Sequence, residues 1–317
     1  MHIPILDEKQ LFDTLRTKKN PFFKEYYAFY SSWFGGIITD PHLMVLPMDD
    51  HMVHRGDGVF EAMKAEGRSV YLMEEHLQRL FFSAEKIALV PPFDFNEIKE
   101  IILQTLKVVD RSDVFIRLFI SRGPGNFSVN PYDSVGSQLY VIINRLTTPA
   151  LKKYEEGVII GKSHIPAKPS WMAQVKSCNY LPNVLMRKEA LDRDLDFVVG
   201  ADAHGHVTES ATENIMLVDQ KGILVHPILD HILKGTTMMR ACELANEKGI
   251  VVEKRPVLID ELKTAREIII TGTTLNILPV VQFENFKIGN GKPGPITKQL
   301  QTWLVNDIQS GRKGIAF

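Results

Sequence analysis

The chain is poor in the features that mark several classes of protein. It has two cysteines, Cys178 and Cys242, too few for a disulfide framework. Its first residues, MHIPILDEKQ, lack the charged-then-apolar order of a secretory leader, so the expected setting is the reducing cytoplasm. No apolar run approaches the roughly 20 residues that a membrane span needs; the longest are short pieces such as REIIITG and DFVVGA. A net charge of -1 offers no basic field for nucleic acid and no polybasic arm for anionic lipid. No repeat of fixed period and no low-complexity tract occurs. What remains is ordinary globular composition, 44% hydrophobic and 24% charged. A length of 317 residues suggests two domains, each with its own core.

Residues 1–30, with NPFFKEYYAFY, read as an amphipathic extension that docks on the remainder. In VFEAMKAEGRSVYL, Gly67 separates two alternating segments, as in a hairpin. MEEHLQRLFFSAEKIAL sets Leu77, Leu80, Phe81, Ala84 and Ile87 at helical spacing, and DFNEIKEIILQTLKVV does the same behind the cap Asp94. DVFIRLFISRG and SQLYVIINRL read as strands, so 31–145 is a small mixed α/β domain. RLTTPALKKYEEG loses the apolar period, which makes 146–156 the linker. Residues 157–317 are richer in strands (GVIIGKSHI, DFVVGAD, ENIMLVD, GILVHP, IVVEKRP, EIIITG, ILPVVQF). Three helices interrupt them, YLPNVLMRKEALDRD, GTTMMRACELANEKG and ITKQLQTWLVNDIQ. The fold class is α+β, mixed α/β, in two domains.

Several local motifs suggest chemistry and fail on context. EGVIIGKS resembles a phosphate loop, but three residues separate Gly157 from Gly161 and prolines follow where a helix must start. GNGKPG has dinucleotide-loop glycines, yet Pro293 and Pro295 exclude the strand-turn-helix setting. MDDHMVHRGDGVFEAMK holds His51, His54, Asp49, Asp50 and Asp57, but without a helix-spaced glutamate or a second cluster no metal is expected. Arg55-Gly56-Asp57 is a tripeptide that occurs by chance, so the stretch reads first as a glycine turn ahead of a buried strand.

A wider pattern emerges from QVKSCNYLPNVLMRKEA taken with HVTESATENIMLVDQKGILVHP and ILKGTTMMRACELA, flanked in order by GDGVFEAMK, HLQRL, FIRLFISRG and TGTTLNILPV. This ordered set, from about Trp33 to Leu304, resembles the fold-type-IV pyridoxal-phosphate enzymes: branched-chain and D-amino-acid aminotransferases and aminodeoxychorismate lyases. The resemblance implies a small N-terminal α/β sandwich and a larger C-terminal pseudo-barrel over 157–317 that binds pyridoxal 5'-phosphate. It implies that Lys176 is the Schiff-base lysine and proton carrier. Tyr180 would meet the phenolic oxygen of the cofactor, its four-residue offset suiting one helical face if a helix has begun. Glu209 would pair with the pyridine nitrogen, with Ser210 and Ala211 beside the ring. Arg79, Thr236, Thr237, Thr273 and Thr274 would hold the phosphate.

The resemblance leaves the reaction open between transamination, with an amino acid and a 2-oxo acid as substrates, and release of 4-aminobenzoate and pyruvate from 4-amino-4-deoxychorismate. Glu61, where lyases often carry threonine, favours transamination. A non-catalytic interaction protein on the same scaffold is the third reading, opposed by the presence of Lys176, Tyr180, Glu209 and Arg79 together. Arg55, Phe60 and Arg117 are the expected substrate-pocket residues, the two arginines facing carboxylates. A homodimer is implied, the partner's small-domain loop closing each pocket.

Overall fold

Alternation along the strands of the first half decides what each face meets. The computed structural model describes residues 1–317. After α1 (Glu8–Thr17), the first half runs β1 (Tyr26–Ser31), β2 (Gly36–Ile38), α2 (His51–Arg55), β3 (Gly58–Glu66), β4 (Ser69–Tyr71), α3 (Met73–Lys86), α4 (Phe95–Lys107), β5 (Val114–Ser121) and β6 (Gln138–Arg145). The helices α3 and α4 cover one face of an antiparallel sheet. Val59, Met63, Val114, Ile116, Leu118 and Ile120 point into that core and meet Leu77, Leu80, Ile98 and Ile102. The other face carries Phe60, Ala62, Phe115, Arg117 and Phe119 toward a cavity.

Local chemistry sets these elements. Asp94 caps α4 by accepting from the Asn96 and Glu97 amides, and Glu97 accepts in return from the Asp94 amide, a capping box. Gly67 and Arg68 both have positive φ, 59° and 60°, which makes the two-residue turn whose twist suits a β3–β4 hairpin.

The second half runs α5 (Leu151–Glu156), β7 (Val158–Lys162), α6 (Ser170–Ala173), α7 (Leu181–Asp192), β8 (Phe197–Val199), β9 (Asn214–Val218), β10 (Leu224–His226), α8 (Thr236–Glu247), β11 (Val252–Lys254), β12 (Glu267–Gly272), β13 (Asn276–Phe283), β14 (Phe286–Lys287), α9 (Pro295–Gln309) and β15 (Gly314–Ala316). Its sheet has the order β11-β10-β9-β12-β13-β7-β8, with β14 on β13. Residues 200–209 draw the two ends together: the Thr208 amide donates to Gly200 O and the Val207 amide to Val257 O. The sheet therefore curls as the expected pseudo-barrel, around buried side chains such as Ile160, Ile215, Leu217, Ile268, Ile270 and Leu278. α8 and α9 cover the outer face, where Met238, Ala241, Leu300 and Leu304 meet Met216 and Ile269.

Three features of the fold depart from the sequence reading. β1 starts at Tyr26, inside the stretch read as an extension, because Tyr26 to Ser31 pair with β6. The stretch read as a linker contains the short helix α5. The C-terminal β15 leaves the second half and pairs with β4 at the edge of the first sheet. Asp307 of α9 reinforces that return: it accepts from the Tyr71 hydroxyl at 2.5 Å and from Arg240 at 2.7 and 2.9 Å. No helix is long and apolar enough to cross a membrane.

Leu77 is fully buried between α3 and the first sheet. Leu77→Ala should lower the unfolding free energy by about 2–5 kcal/mol in a denaturant titration; a loss below about 1 kcal/mol would contradict this packing.

Candidate active site

The site begins with a short backbone pairing between the two halves. The Phe60 amide donates to Lys176 O at 2.9 Å and the Cys178 amide to Gly58 O at 2.9 Å, around the bridge Val59–Ser177. The Lys176 amide donates to Ser83 Oγ at 3.2 Å. These bonds hold 176–178 extended along β3, and α7 starts only at Leu181. The helical face suggested by the Lys176–Tyr180 offset is therefore corrected: Tyr180 precedes the helix, and its ring packs edge-on against Phe60, centroids 5.1 Å apart. Gly56 permits the approach: it has φ 67°, and a Cβ there would lie 3.0 Å from Asn179 Oδ1 and 3.4 Å from Cys178 O.

The Lys176 side chain is buried, with Nζ 4.5 Å from the centroid of Phe60 and no hydrogen bond or ion pair. Burial, aided by the charge of Arg79 and opposed by Glu61 and Glu209, pulls its ammonium down to about 8. Burial raises the Tyr180 hydroxyl above its usual range, with the Glu209 and Glu213 charges adding to it, so it stays protonated as a donor.

Lys176 lies in a cavity of about 570 Å³ between the two sheets, together with Phe60, Arg79, Arg117, Tyr180, Thr236, Thr237, Thr273 and Thr274. Thr236 opens α8, whose N-cap Gly235 contributes no side-chain bond, so first-turn amides face the cavity at the positive helix end. Gly235 is required there: a Cβ would lie 1.8 Å from Asn214 Oδ1.

Beneath this cup is a buried network. Glu61 accepts from Arg79 Nε at 2.7 Å and Nη2 at 2.9 Å, and from His76 Nδ1 at 2.7 Å. Burial pushes the Glu61 carboxyl up, but the charge of Arg79 and the hydrogen bonds from Arg79 and His76 outweigh it and hold it well below the usual range. Burial, aided by the charges of Arg79 and Lys176, lowers His76 against the pull of Glu61. A neutral His76 donating through Nδ1 must accept at Nε2, where Thr236 Oγ lies at 3.2 Å. The Thr236 hydroxyl proton is thus committed to His76, and toward an anion Thr236 offers its main-chain N–H. Arg79 Nη1 also donates to Lys234 O at 2.9 Å.

Four expected residues lie elsewhere. Glu209 and Ser210 line a smaller neighbouring hollow; Glu209 accepts from the Leu233 amide at 2.9 Å and pairs with Lys168 at 3.4 Å, while Ser210 Oγ is buried without a partner. Ala211 packs with Met186, Ala190 and Val198. Arg55, expected at the substrate pocket, does not line the cavity of this chain. Gly56 turns the chain immediately after it, and its guanidinium donates to the carbonyls of Phe127 and Ser128. His51 Nε2 holds the same loop at Asn126 O, 2.9 Å away.

Residues that sequence reasoning missed include Arg145 and Asn144, at the end of β6 and on the cavity wall. Neither Arg117 nor Arg145 pairs with a carboxylate; Arg117 Cζ lies 5.0 Å from the centroid of Phe115. Asn144 Oδ1 is buried without a partner. Strand alternation from Arg117 could have located its face, but pairing of β5 with β6 was needed to bring Asn144 opposite Phe115.

The buried lysine yields a direct expectation. Labelling of Lys176 by trinitrobenzenesulfonate, on protein freed of bound small molecules, should rise with pH through a midpoint near 8, the value to which its environment pulls it. Exposed lysines should titrate near about 10.4, and a midpoint there for Lys176 would contradict its surroundings.

Known proteins resemble this chain in sequence and in fold. The sequence pattern of the amino-transferase class IV family matches residues 58–283. The chain is 37% identical over 316 residues to "D-amino-acid transaminase, chloroplastic" of Arabidopsis thaliana, covering 98% of this chain and 83% of that one. It is 31% identical over 279 residues to the D-alanine aminotransferase of Bacillus licheniformis, covering 87% and 96%. The branched-chain amino acid aminotransferase of Thermobaculum terrenum, solved in its PLP form, superposes with a TM-score of 0.81 at 21% identity, covering 90% of this chain and 95% of that one, a likeness of fold. A family pattern over most of the chain and relatives above 30% identity leave one conclusion: the chain belongs to the class IV aminotransferases, enzymes that depend on pyridoxal 5'-phosphate.

Proposed function

We propose that this aminotransferase moves an amino group from a D-amino acid to a dicarboxylic 2-oxo acid such as 2-oxoglutarate, with Lys176 as the residue that bonds the cofactor. The observation that carries the site assignment is the unpaired, buried amine of Lys176 in a cavity that ends in an uncapped helix N-terminus. The donor set fits pyridoxal 5'-phosphate: an amine for its aldehyde, and Arg79 with the first-turn amides for its phosphate. When bound, the cofactor supplies the aldehyde and a ring that takes up the electron pair of the broken Cα–H bond.

The chain's own residues do the rest. Lys176 Nζ would take the proton from the substrate Cα and deliver it to the carbon that was the cofactor aldehyde; its amine, drawn to about 8, is partly neutral near physiological pH. Tyr180, held protonated, would donate a hydrogen bond to the phenolic oxygen. Thr237, Thr273 and Thr274 would join Arg79 and Thr236 at the phosphate. By the family resemblance Glu209 would meet the pyridine nitrogen, although its carboxylate here holds the Leu233 amide and Lys168 at the neighbouring hollow.

Two unpaired guanidinium groups on one wall, Arg117 and Arg145, support a dicarboxylate acceptor. The names of the Arabidopsis and Bacillus relatives support the D-amino-acid donor. A second reading, a branched-chain donor, is favoured by the aromatic wall of Phe60, Phe115 and Phe119. The lyase reading is not favoured, since the named relatives are aminotransferases. We also infer a homodimer, in which the loop held by Arg55 covers the partner's cavity; Phe127, Val129, Tyr132 and Val135 on that loop are 55–90% exposed in one subunit.

The test is a panel of D- and L-amino acids with 2-oxoglutarate and pyruvate, beside aminodeoxychorismate. D-amino-acid turnover with 2-oxoglutarate is expected; turnover of L-branched-chain donors alone would favour the second reading, and lyase products alone would overturn both. Arg117→Ala should raise KM for 2-oxoglutarate about tenfold or more while changing that for pyruvate little. An unchanged KM would remove Arg117 from the acceptor site.

A further inference from the structure

Lys64 is a lysine that the chemistry above does not use, and it is almost fully buried. It follows Phe60 and Ala62 on the cavity-facing side of β3, with 1% exposure. Its Nζ donates to Glu66 Oε1 at 2.6 Å and, across to the other sheet, to Asn276 Oδ1 at 2.6 Å. Burying an ammonium carries a large desolvation cost unless good acceptors surround it, and here burial does lower the Lys64 ammonium against the Glu66 charge.

Asn276 sits at a sensitive point. It starts β13 with φ 57°, a left-handed conformation that asparagine tolerates better than most residues. It pairs with Gly272 across the tight turn Thr273–Leu275, and Thr273 and Thr274 line the cavity. Neither threonine hydroxyl bonds to another residue, so the turn is positioned by its backbone, by buried Leu275 and by the side chain of Asn276.

We propose that Lys64 is a positioning residue: by holding Asn276 it fixes the Thr273–Thr274 turn of the second sheet against the first and so sets the phosphate end of the cofactor site. The inference rests on the site assignment above. Lys64 does not line the cavity, and its influence passes through one hydrogen bond between the two walls.

The experiment uses the full chain stripped of cofactor, with equilibrium titration of pyridoxal phosphate and of pyridoxal, which lacks the phosphate. The variants are Lys64→Met, Asn276→Gly, which keeps the positive φ and deletes the side chain, and the double variant. Each single variant should weaken pyridoxal phosphate binding about tenfold while changing pyridoxal binding by less than about threefold. The double variant should be no weaker than the weaker single one, because both act through the same bond. Equal losses for both ligands, additive losses, or no loss would overturn the proposal. Should Lys64→Met fail to fold, Asn276→Gly carries the same comparison. Failure of the unaltered chain to bind either ligand would instead overturn the site assignment.

Discussion

The site depends on the pairing of residues 176–178 with the start of β3. Two backbone hydrogen bonds, from the Phe60 amide and the Cys178 amide, cross between the halves of the molecule. They fix the lysine backbone so that its side chain has one direction to take, into a wall of aromatic rings. An amine on a flexible loop would find solvent and stay charged; here burial and the guanidinium of Arg79 draw it toward neutrality. Fold and chemistry meet in those bonds.

The second constraint is the buried carboxylate Glu61. It binds Arg79 through both oxygens and His76 through one, and His76 passes the orientation to Thr236 at the start of α8. A guanidinium offered to a phosphate must be held still, and burying it without a partner would be costly. The carboxylate keeps Arg79 in place from behind and leaves Nη1 near the cavity on Lys234 O. Glu61, β3, α3 and α8 thereby act as one support for the cup.

Much of this was legible in the sequence. The helical spacing of Leu77, Leu80 and Ala84, the cap Asp94 and the turn at Gly67 report local energetics, and each element formed where that spacing put it. The cavity residues Arg79, Lys176, Tyr180, Thr236 and Thr273 were reachable through the ordered family pattern. The direction Arg55 takes was not legible, because it depends on the left-handed Gly56 and on carbonyls 72 and 73 residues away. Glu61 was read only as a mark of reaction type, since nothing in GDGVFE says that its carboxylate faces α3. Asn144, Arg145 and Lys64 gain meaning from strand pairing, which is non-local. The return of β15 to the first sheet has the same origin.

The proposed function turns on one buried lysine, Lys176, bonding the cofactor. The direct measurement is borohydride reduction of the full-length protein mixed with pyridoxal 5'-phosphate, followed by peptide mapping. A single stoichiometric label on Lys176 is expected; labels spread over exposed lysines, or a label elsewhere in the cavity, would contradict it.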